Sequence, residues 1–486
     1  MSLKHPLLFL FITIFSHQNL AQEEIFSRPI DLKQNAQVHF LKTKNSDEGS
    51  ILTFANLNQL TFWKFDENNS FVKELTIPRP KRSYSQLLGN TVSEETKHLF
   101  FANNKTSKFF VQQVDIDNLS YDANEFKFKT NYERILGTFE YKNRLYTLAI
   151  RHLSSLLKIY VFEGNQFSHV KEVDLSEYKF YDGKSIKPLS SAMLGSPSII
   201  DIESPVSMTS ASNKAKVYTF NNKLFFTYEN SKEETNIVSV DLESFEHQLK
   251  TVPTEEVDCN NAPWTVSNSF LTKEHFFQIV GCKNEIAFWI KDPNTFEPLG
   301  EYRSDNEGKI DFANTKIFMD GAYTFIGSSP DSVSISTNSA LRNIAKGNIA
   351  ITALYQDNKL VVTMGGVKTY AQGAGGAPAL GSGSTTIMSP GGPVQVSTPS
   401  AGTMQFLNYE ERSQTIEFRS LIDPKSFEHI SGDVDKNVFD LISEFTDSIQ
   451  NEISHKEVIK IDDYYLLGYY HKKDKVYKLF KFFEPK

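Results

Sequence analysis

Short apolar runs, rich in Phe, Tyr, Leu, Ile and Val and separated by polar turns, recur along the whole chain. A typical copy is Asn221-Asn-Lys-Leu-Phe-Phe-Thr-Tyr228, in which a polar turn precedes the run. Runs this short, with aromatic and β-branched residues, predict β-strands joined by hairpins. The first core residue of each run forms a series with steps mostly of 46 to 52 residues: Ile51, Leu99, Leu145, Leu224, Phe276, Tyr323, Leu360 and Tyr465.

A second marker repeats in phase with the first. The next strand ends in an acidic turn followed by an aromatic residue, most clearly at residues 241–245, 292–296 and 423–427. Asp, Asn, Pro and Ser favour turns, so the marker predicts a hairpin whose returning strand opens with the aromatic residue. About four strands fit in each period. The two markers together predict an all-β β-propeller of four-stranded blades, with a two-domain β-sandwich as the alternative.

The number of blades and the closure of the ring follow from the ends of the series. Eight markers favour eight blades, but the short step from Tyr323 to Leu360 leaves seven open. The last unit supplies only three strands, at about 456–461, 464–470 and 475–483. Residues 25–32 form a strand-like run with no local partner. We therefore expect this N-terminal strand to complete the C-terminal blade, which removes two open sheet edges.

Three insertions interrupt the repeat. Residues 184–212 are rich in Ser, Pro and Met, and residues 435–454 carry apolar side chains at the spacing of an amphipathic helix that packs on the ring. Residues 370–404 carry no charge and are dominated by Gly, Ala, Ser and Pro. That composition predicts a flexible loop. A tolerated linker, dispensable for folding, is favoured over a binding loop or a plug of the channel.

The first residues have the order of a secretory signal peptide. A basic start is followed by an apolar run too short to span a bilayer and by a small residue at Ala21. We expect cleavage after Ala21, which leaves residues 22–486 as a single propeller domain that is secreted or periplasmic. No other segment is apolar enough to be a transmembrane segment.

The net charge narrows the possible classes of binding partner, and the cysteine content predicts a disulfide. Without the leader, which holds one Lys, 50 basic and 59 acidic side chains remain, a formal charge of −9. An acidic chain without basic clusters argues against nucleic acid as a partner. The only cysteines are Cys259 and Cys282. In an oxidising compartment we expect them to form one disulfide, with two free thiols as the alternative.

Signatures of catalysis or of metal and cofactor binding are absent from the sequence. It contains no Gly-x-Ser-x-Gly, no His-Glu-x-x-His, no phosphate-binding loop and no Cys-x-x-Cys. His247 and His429 occupy matching positions, which is more typical of equivalent exposed turns than of a metal site. Asp462 and Asp463 stand where a turn favours Asp. We therefore nominate no catalytic, cofactor-binding or metal-binding residue, and expect no cofactor.

Over nearly the whole mature chain, the repeat pattern resembles secreted bacterial β-propeller proteins with divergent repeats. The Trp-Asp of WD40 blades, the Gly-Gly of kelch, the Asp box of sialidases and the quinoprotein pattern are all missing. No functional residue can therefore be carried over from those families. The resemblance implies a non-catalytic protein that presents loops to a protein or glycan partner at the cell envelope, as a monomer or within an envelope complex. The alternative is a hydrolase, lactonase or lyase with a polar or metal-binding channel mouth.

Overall fold

The computed structural model describes residues 22–484, apart from residues 34–35, 42–48, 57, 82, 85, 94–95, 104–107, 127–131, 182–184, 194, 230–232, 260–264, 321–331, 368–385, 390–391, 396–400 and 411–414. The predicted leader (1–21) lies outside the described residues. Seven sheets of four or five strands form the body of the protein. Across the described residues, no helix has the length and apolar character needed to cross a bilayer.

The first three blades are meanders of four consecutive antiparallel strands. Strand β1 (Gln22–Pro29) precedes them and belongs to the last blade. Blade 1 consists of β2 (Gln37–Leu41), β3 (Ser50–Ala55), β4 (Gln59–Phe65) and β5 (Phe71–Pro78). Blade 2 consists of β6 (Gln86–Ser93), β7 (Thr96–Ala102), β8 (Phe109–Asp115) and β9 (Ser120–Phe126). Blade 3 consists of β10 (Glu133–Tyr141), β11 (Arg144–Arg151), β12 (Leu156–Glu163) and β13 (Gln166–Asp174).

An insertion precedes blade 4 and adds a fifth strand to it. The insertion contains β14 (Phe180–Tyr181), β15 (Ile186–Lys187), α1 (Leu189–Ala192), β16 (Ser198–Ile200) and α2 (Met208–Ala211). Blade 4 then adds β17 (Ala215–Phe220), β18 (Lys223–Glu229), β19 (Glu234–Asp241) and β20 (His247–Pro253). Blade 5 is again a meander, of β21 (Val266–Leu271), β22 (Phe276–Gly281), β23 (Glu285–Lys291) and β24 (Pro298–Asp305).

Blade 6 takes its outer strands from the chain that precedes it. These are β25 (Phe318–Met319) and β26 (Val333–Ser334), which helix α3 (Thr337–Ile344) follows. The inner strands are β27 (Asn348–Gln356), β28 (Lys359–Val367) and β31 (Thr415–Ile422). Between β28 and β31 lie a separate hairpin, of β29 (Thr386–Ser389) and β30 (Gly392–Gln395), and helix α4 (Ala401–Glu410). Blade 7 follows helix α5 (Val438–Ser448) with β32 (Ile453–Ile461), β33 (Tyr464–His471) and β34 (Val476–Phe483).

The sheets confirm the propeller and identify what the first marker detects. Seven of the eight marker residues lie in the second strand of a blade's meander. They run from Ile51 in β3 to Tyr465 in β33. The eighth, Tyr323, lies outside the described residues. The described chain therefore has seven blades, the lower of the two predicted counts, and no β-sandwich.

The N-terminal strand closes the ring as predicted. Strand β1 pairs antiparallel with β34, with Gln22 opposite Phe482 and Pro29 opposite Val476. The Phe26 ring reaches past this seam to the Phe65 ring of blade 1, with centroids 4.9 Å apart. The closing strand therefore completes one blade and also packs on the next.

The second marker has a different role from the one predicted. In all three clear copies the Asp carboxylate accepts hydrogen bonds from backbone amides two and three residues ahead, and the Phe adopts a positive φ between 56° and 61°. The returning strand resumes only two residues after the Phe. The aromatic residue therefore ends the turn instead of opening the strand.

Each of these Phe side chains contacts the preceding blade. The Lys171 ammonium lies 5.1 Å from the Phe245 ring centroid and that of Lys250 lies 5.4 Å from Phe296. The His275 ring lies 5.1 Å from that of Phe427. The repeated turn therefore joins neighbouring blades.

Helices α4 and α5 form the joint between blades 6 and 7. Arg419 of β31 pairs with Asp440 of α5, with an N–O distance of 2.7 Å, and both side chains bond to the hydroxyl of Tyr409 on α4. Helix α5 begins with a capping box between Asn437 and Asp440 and buries Phe439 against the Tyr465 ring of blade 7.

Helix α4 corrects the interpretation of residues 370–404 as one loop. The last four of these residues belong to α4, and Thr403 is fully buried against β32. The composition of the sequence does not reveal helix α4, because tertiary contacts hold this helix and it has no apolar stripe. Most of the remaining segment lies outside the described residues.

The insertion at 184–212 crosses the axis of the ring. First strands of neighbouring blades contact each other, as β2 does β32 and β21 does β27, so these strands surround the axis. Strand β16 lies on the axis side of β17 and runs parallel to it. A few residues later the Glu203 carbonyl accepts a hydrogen bond of 2.8 Å from Lys460 of blade 7. Blades 4 and 7 lie on opposite sides of a seven-membered ring, so the segment spans its centre.

Candidate functional site

A cavity of about 270 Å³ opens on the face formed by the turns between first and second strands of blades 5, 6 and 7. Its floor is the segment that crosses the ring, and one side is the start of α5. The apolar residues of the lining are Ile202, Pro205, Leu354 and Val438. The polar and aromatic wall comprises Glu203, Thr272, Lys273, Glu274, Tyr355, Gln356, Asn437, Lys460 and Glu484.

The floor is fixed by one side chain of α4. The Gln405 amide oxygen accepts from the backbone N–H of Asp201 at 2.9 Å, and its NH₂ group lies 2.8 to 3.1 Å from the carbonyls of Asp201, Ser204 and Pro205. The Ser204 hydroxyl also bonds to Asp201 and to the phenol of Tyr465. Buried backbone groups that are satisfied in this way hold one conformation.

Four of the five charged side chains in the wall pair with each other. Lys273 forms an ion pair with Glu203, and Lys460 lies 3.3 Å from Glu484. Glu274 has no cationic partner among the described residues. The wall therefore carries one carboxylate whose charge is not balanced by a neighbour.

Next to Glu274, the imidazole of His275 is hydrogen bonded through Nδ1 to the Tyr355 hydroxyl. Burial lowers the pKa of His275 below its ordinary value of 6.5, so the ring is neutral at neutral pH. Burial, and then the Glu274 charge, raise the pKa of Tyr355, so its phenol stays protonated. A comparable bond links blades 3 and 4, where the Tyr141 hydroxyl accepts from the Asn222 amide at 2.8 Å. The His275–Tyr355 contact therefore also serves as a joint between blades.

The residues that the sequence singled out lie elsewhere. His247 opens β20 in blade 4, while His429 lies 2.9 Å from the Asn314 side chain beside blade 6. Asp462 and Asp463 form the turn between β32 and β33 and do not line the cavity. Within the described part of the chain, no three His, Cys, Asp or Glu side chains converge to hold a metal ion.

Cys259 and Cys282 lie at disulfide distance beside blade 5, with Cα atoms 6.1 Å apart. Neither lines the cavity.

Sequence reasoning missed Glu274, His275 and Tyr355. They come from two turns that are 80 residues apart, and only the ring brings them together. One local signal was present. The turn before Phe276 reads Lys-Glu-His, whereas the turns before Leu145, Leu224, Leu360 and Tyr465 carry Asn or Asp.

Glu457 and Lys216 are among the buried ionisable groups that lie outside the cavity. Burial raises the pKa of Glu457 to about 8, although Thr403 donates a hydrogen bond of 2.9 Å to its carboxyl group. Burial likewise lowers the pKa of Lys216 to about 8, in spite of Glu229 at 3.7 Å. Lys216 also donates to the Asn268 side chain of blade 5 at 2.8 Å. Because both are enclosed, we assign them to the joints between blades.

The opposite face of the ring exposes apolar side chains. Tyr132 and Leu153 are 85% and 69% exposed and lie side by side, since the amide of His152 bonds to the Tyr132 carbonyl at 2.7 Å. Ile186 in the adjacent insertion is also exposed. Exposed apolar groups that cluster in this way are typical of contact surfaces.

Comparison with known proteins finds no matching family model and no matching curated sequence. Among solved structures, an oligogalacturonate lyase in complex with manganese is similar at 8% identity, covering 96% of this chain and 98% of that one, with a TM-score of 0.35. The β-propeller domain of the Trilobed protease from Pyrococcus furiosus is similar at 10% identity, covering 96% of both chains, with a TM-score of 0.27. Similarities this remote say nothing about activity.

Proposed function

We propose that this chain is a secreted or periplasmic binding protein that holds a protein or glycan partner of the cell envelope at the cavity face, without catalysis. The observation that carries the proposal is the cavity itself. It is walled by turns from three blades and floored by a segment that Gln405 holds in place. A recess formed before the ligand arrives loses little conformational entropy on binding.

The chemistry of the wall supports recognition more than turnover. Most of its charged groups are engaged in ion pairs, and its base is apolar. A cavity of about 270 Å³ has room for one sugar ring or one amino-acid side chain. Ligand pockets in general combine an apolar base with a few polar groups that fix orientation.

A hydrolase, lactonase or lyase remains the second candidate, because Tyr355 and Glu274 line the cavity and His275 is hydrogen bonded to Tyr355. A neutral imidazole bonded to a phenol is a group that can accept a proton. The Tyr141–Asn222 bond at the equivalent joint of blades 3 and 4 supports a structural role for this contact instead.

An array of glycans and of peptides, probed with the chain from residue 22 onwards, tests the proposal. We expect at least one class of ligand to bind, and Tyr355→Ala to weaken that binding at least tenfold. Tyr121→Ala is the matched control, because Tyr121 is half exposed on the outer strand of blade 2. An equal loss of ligand affinity in both variants, or no loss of affinity in Tyr355→Ala, would contradict a binding site at the cavity. In a separate assay, turnover of an ester or lactone that His275→Gln abolishes would replace binding with catalysis.

The proposed export of the protein is tested separately. N-terminal sequencing of the exported protein should begin at about Gln22, and its intact mass should rise by about 2 Da on reduction as the Cys259–Cys282 bond opens. An intact Met1 on a cytosolic protein would contradict the address.

A further inference from the structure

We propose that the cavity between blades 5, 6 and 7 accepts a cationic side chain, Arg or Lys, from a protein partner. This inference rests on the proposed binding function and names the ligand chemistry at the same site. Three observations carry it: the charge balance of the wall, the protonation of its neighbours, and the shape of the base.

The charge balance favours a cation. Three carboxylates and two ammonium groups line the wall, and the ammonium groups of Lys273 and Lys460 are already paired with Glu203 and Glu484. The Glu203 carbonyl adds a further acceptor to Lys460 at 2.8 Å. Glu274, which is exposed at the opening of the cavity, is left as the carboxylate that an incoming positive charge would meet.

The groups beside Glu274 do not neutralise it. His275 follows Glu274 in the chain, and its burial between the rings of Phe277, Tyr355 and Phe427 keeps it neutral. The Tyr355 phenol remains protonated and acts as a hydrogen-bond donor or acceptor, not as an anion. The local charge at this wall is therefore negative at neutral pH.

The shape of the base suits a methylene stem. Leu354, Val438 and Pro205 supply apolar surface to the same lining as the charged groups. The Tyr355 side chain is 37% exposed at the cavity, which leaves ring surface open to a guanidinium or ammonium group. Arg and Lys bury an aliphatic stem while keeping the charged end beside polar groups, and a cation within about 6 Å of an aromatic ring gains further stabilisation.

Calorimetric titration with two probes tests the inference. The probes are N-acetyl-arginine amide and its neutral isostere N-acetyl-citrulline amide, added to the chain from residue 22 onwards. We expect the arginine probe to bind at least tenfold more tightly, and Glu274→Gln to remove that preference without changing the citrulline affinity. Glu297→Gln is the matched control, since Glu297 is exposed on the same face but does not line the cavity.

The outcomes separate this inference from the function on which it rests. Equal affinity for the two probes, or equal loss in Glu274→Gln and Glu297→Gln, would overturn the cationic ligand. If a neutral glycan bound on the array and Tyr355→Ala abolished that binding, the cavity would remain the binding site and only the inference about charge would fail. If neither probe bound and Tyr355→Ala lost nothing on the array, both would fail.

Discussion

At the scale of single residues, the buried ion pair between Arg419 and Asp440 is the clearest determinant of pH-dependent stability. Burial opposes ionisation of the Asp440 carboxyl, but the Arg419 guanidinium and the hydrogen bonds from Tyr409 and the Asn437 amide outweigh it. The pKa of Asp440 therefore lies below its usual value of about 3.9. A lowered pKa stabilises the fold above the unfolded-state pKa, and this stabilisation disappears as the pH falls through the folded-state pKa.

Asp440→Asn should accordingly lower the free energy of unfolding by about 3 kcal/mol at pH 7, because it leaves a buried guanidinium without its partner. Urea denaturation should show this difference shrinking as the pH falls below about 4, because the unfolded chain then takes up a proton at Asp440 that the folded chain does not yet hold. Asp447→Asn, on the exposed side of the same helix, should change little at any pH. A constant difference across this range would show that the ion pair is not its cause.

For Glu457, the predicted dependence of stability on pH has the opposite sign. Its pKa is raised to about 8, so the folded chain must take up a proton at neutral pH that the unfolded chain does not hold. The resulting loss of stability begins above the unfolded-state pKa of about 4.3 and is complete above pH 8. Glu457→Gln should therefore raise the free energy of unfolding, by at most about 4 kcal/mol at pH 7 and by little at pH 5. A variant that is less stable at pH 7 than the unmodified chain would contradict this prediction.

At the scale of elements, β1 is the strand on which ring closure depends. It supplies a full ladder to β34, packs Phe26 on Phe65, and pairs Arg28 with Glu74 of blade 1 at 2.9 Å. Starting the chain at about Gln34 should therefore lower the free energy of unfolding by about 3 kcal/mol or more and cause aggregation through the exposed β34 edge. Removing only Gln22 and Glu23 should do little. Thermal melting and light scattering would measure both effects. An unchanged melting temperature after the longer truncation would show that β1 does not contribute to the stability of the ring.

Helix α4 sets the limit for removing the uncharged insertion. Replacing residues 370–398 with a linker of about ten Gly and Ser residues should change the free energy of unfolding by about 1 kcal/mol, because loop closure depends only logarithmically on length. Extending the deletion through residue 410 should destabilise the protein far more, since it removes Thr403, Gln405 and Tyr409 from their buried contacts. Similar unfolding curves for the two deletions would show that α4 is not required.

The elements also show how far the sequence predicts this fold. The residue types of a turn and the spacing of the strands are local properties of the sequence. They were therefore enough to locate the second strands of all seven blades, the Asp turns and the last three strands. The repeated marker located the turn at Phe245, but the contact of this Phe with blade 3 becomes visible only in the assembled ring. Helix α4 and the cavity depend on residues such as Gln405 and Asp201, which are about 200 positions apart. Such pairings arise only from the closed ring.

At the scale of the whole molecule, the ring is joined by three kinds of contact. Adjacent blades share apolar side chains and turn contacts, β1 closes the seam, and the segment at 198–212 links opposite sides. Helices α4 and α5 fill the space between blades 6 and 7, whereas the marker that favoured an eighth blade, Tyr323, lies outside the described residues. The candidate site lies where the crossing segment, these helices and three blades meet.

The side-by-side position of Gln22 and Phe482 has a consequence for rearranging the chain. In a chain that is made to start at Gln22, joining this residue to the C-terminal strand with a short linker would allow new termini to be opened between blades, as in circular permutation. An opening between blades 1 and 2, near residue 82, would leave every blade and the crossing segment continuous. An opening near residue 194 would instead create a free end just ahead of the residues that Gln405 holds. The links between blades are therefore not interchangeable, and the one between blades 3 and 4 also carries the floor of the cavity.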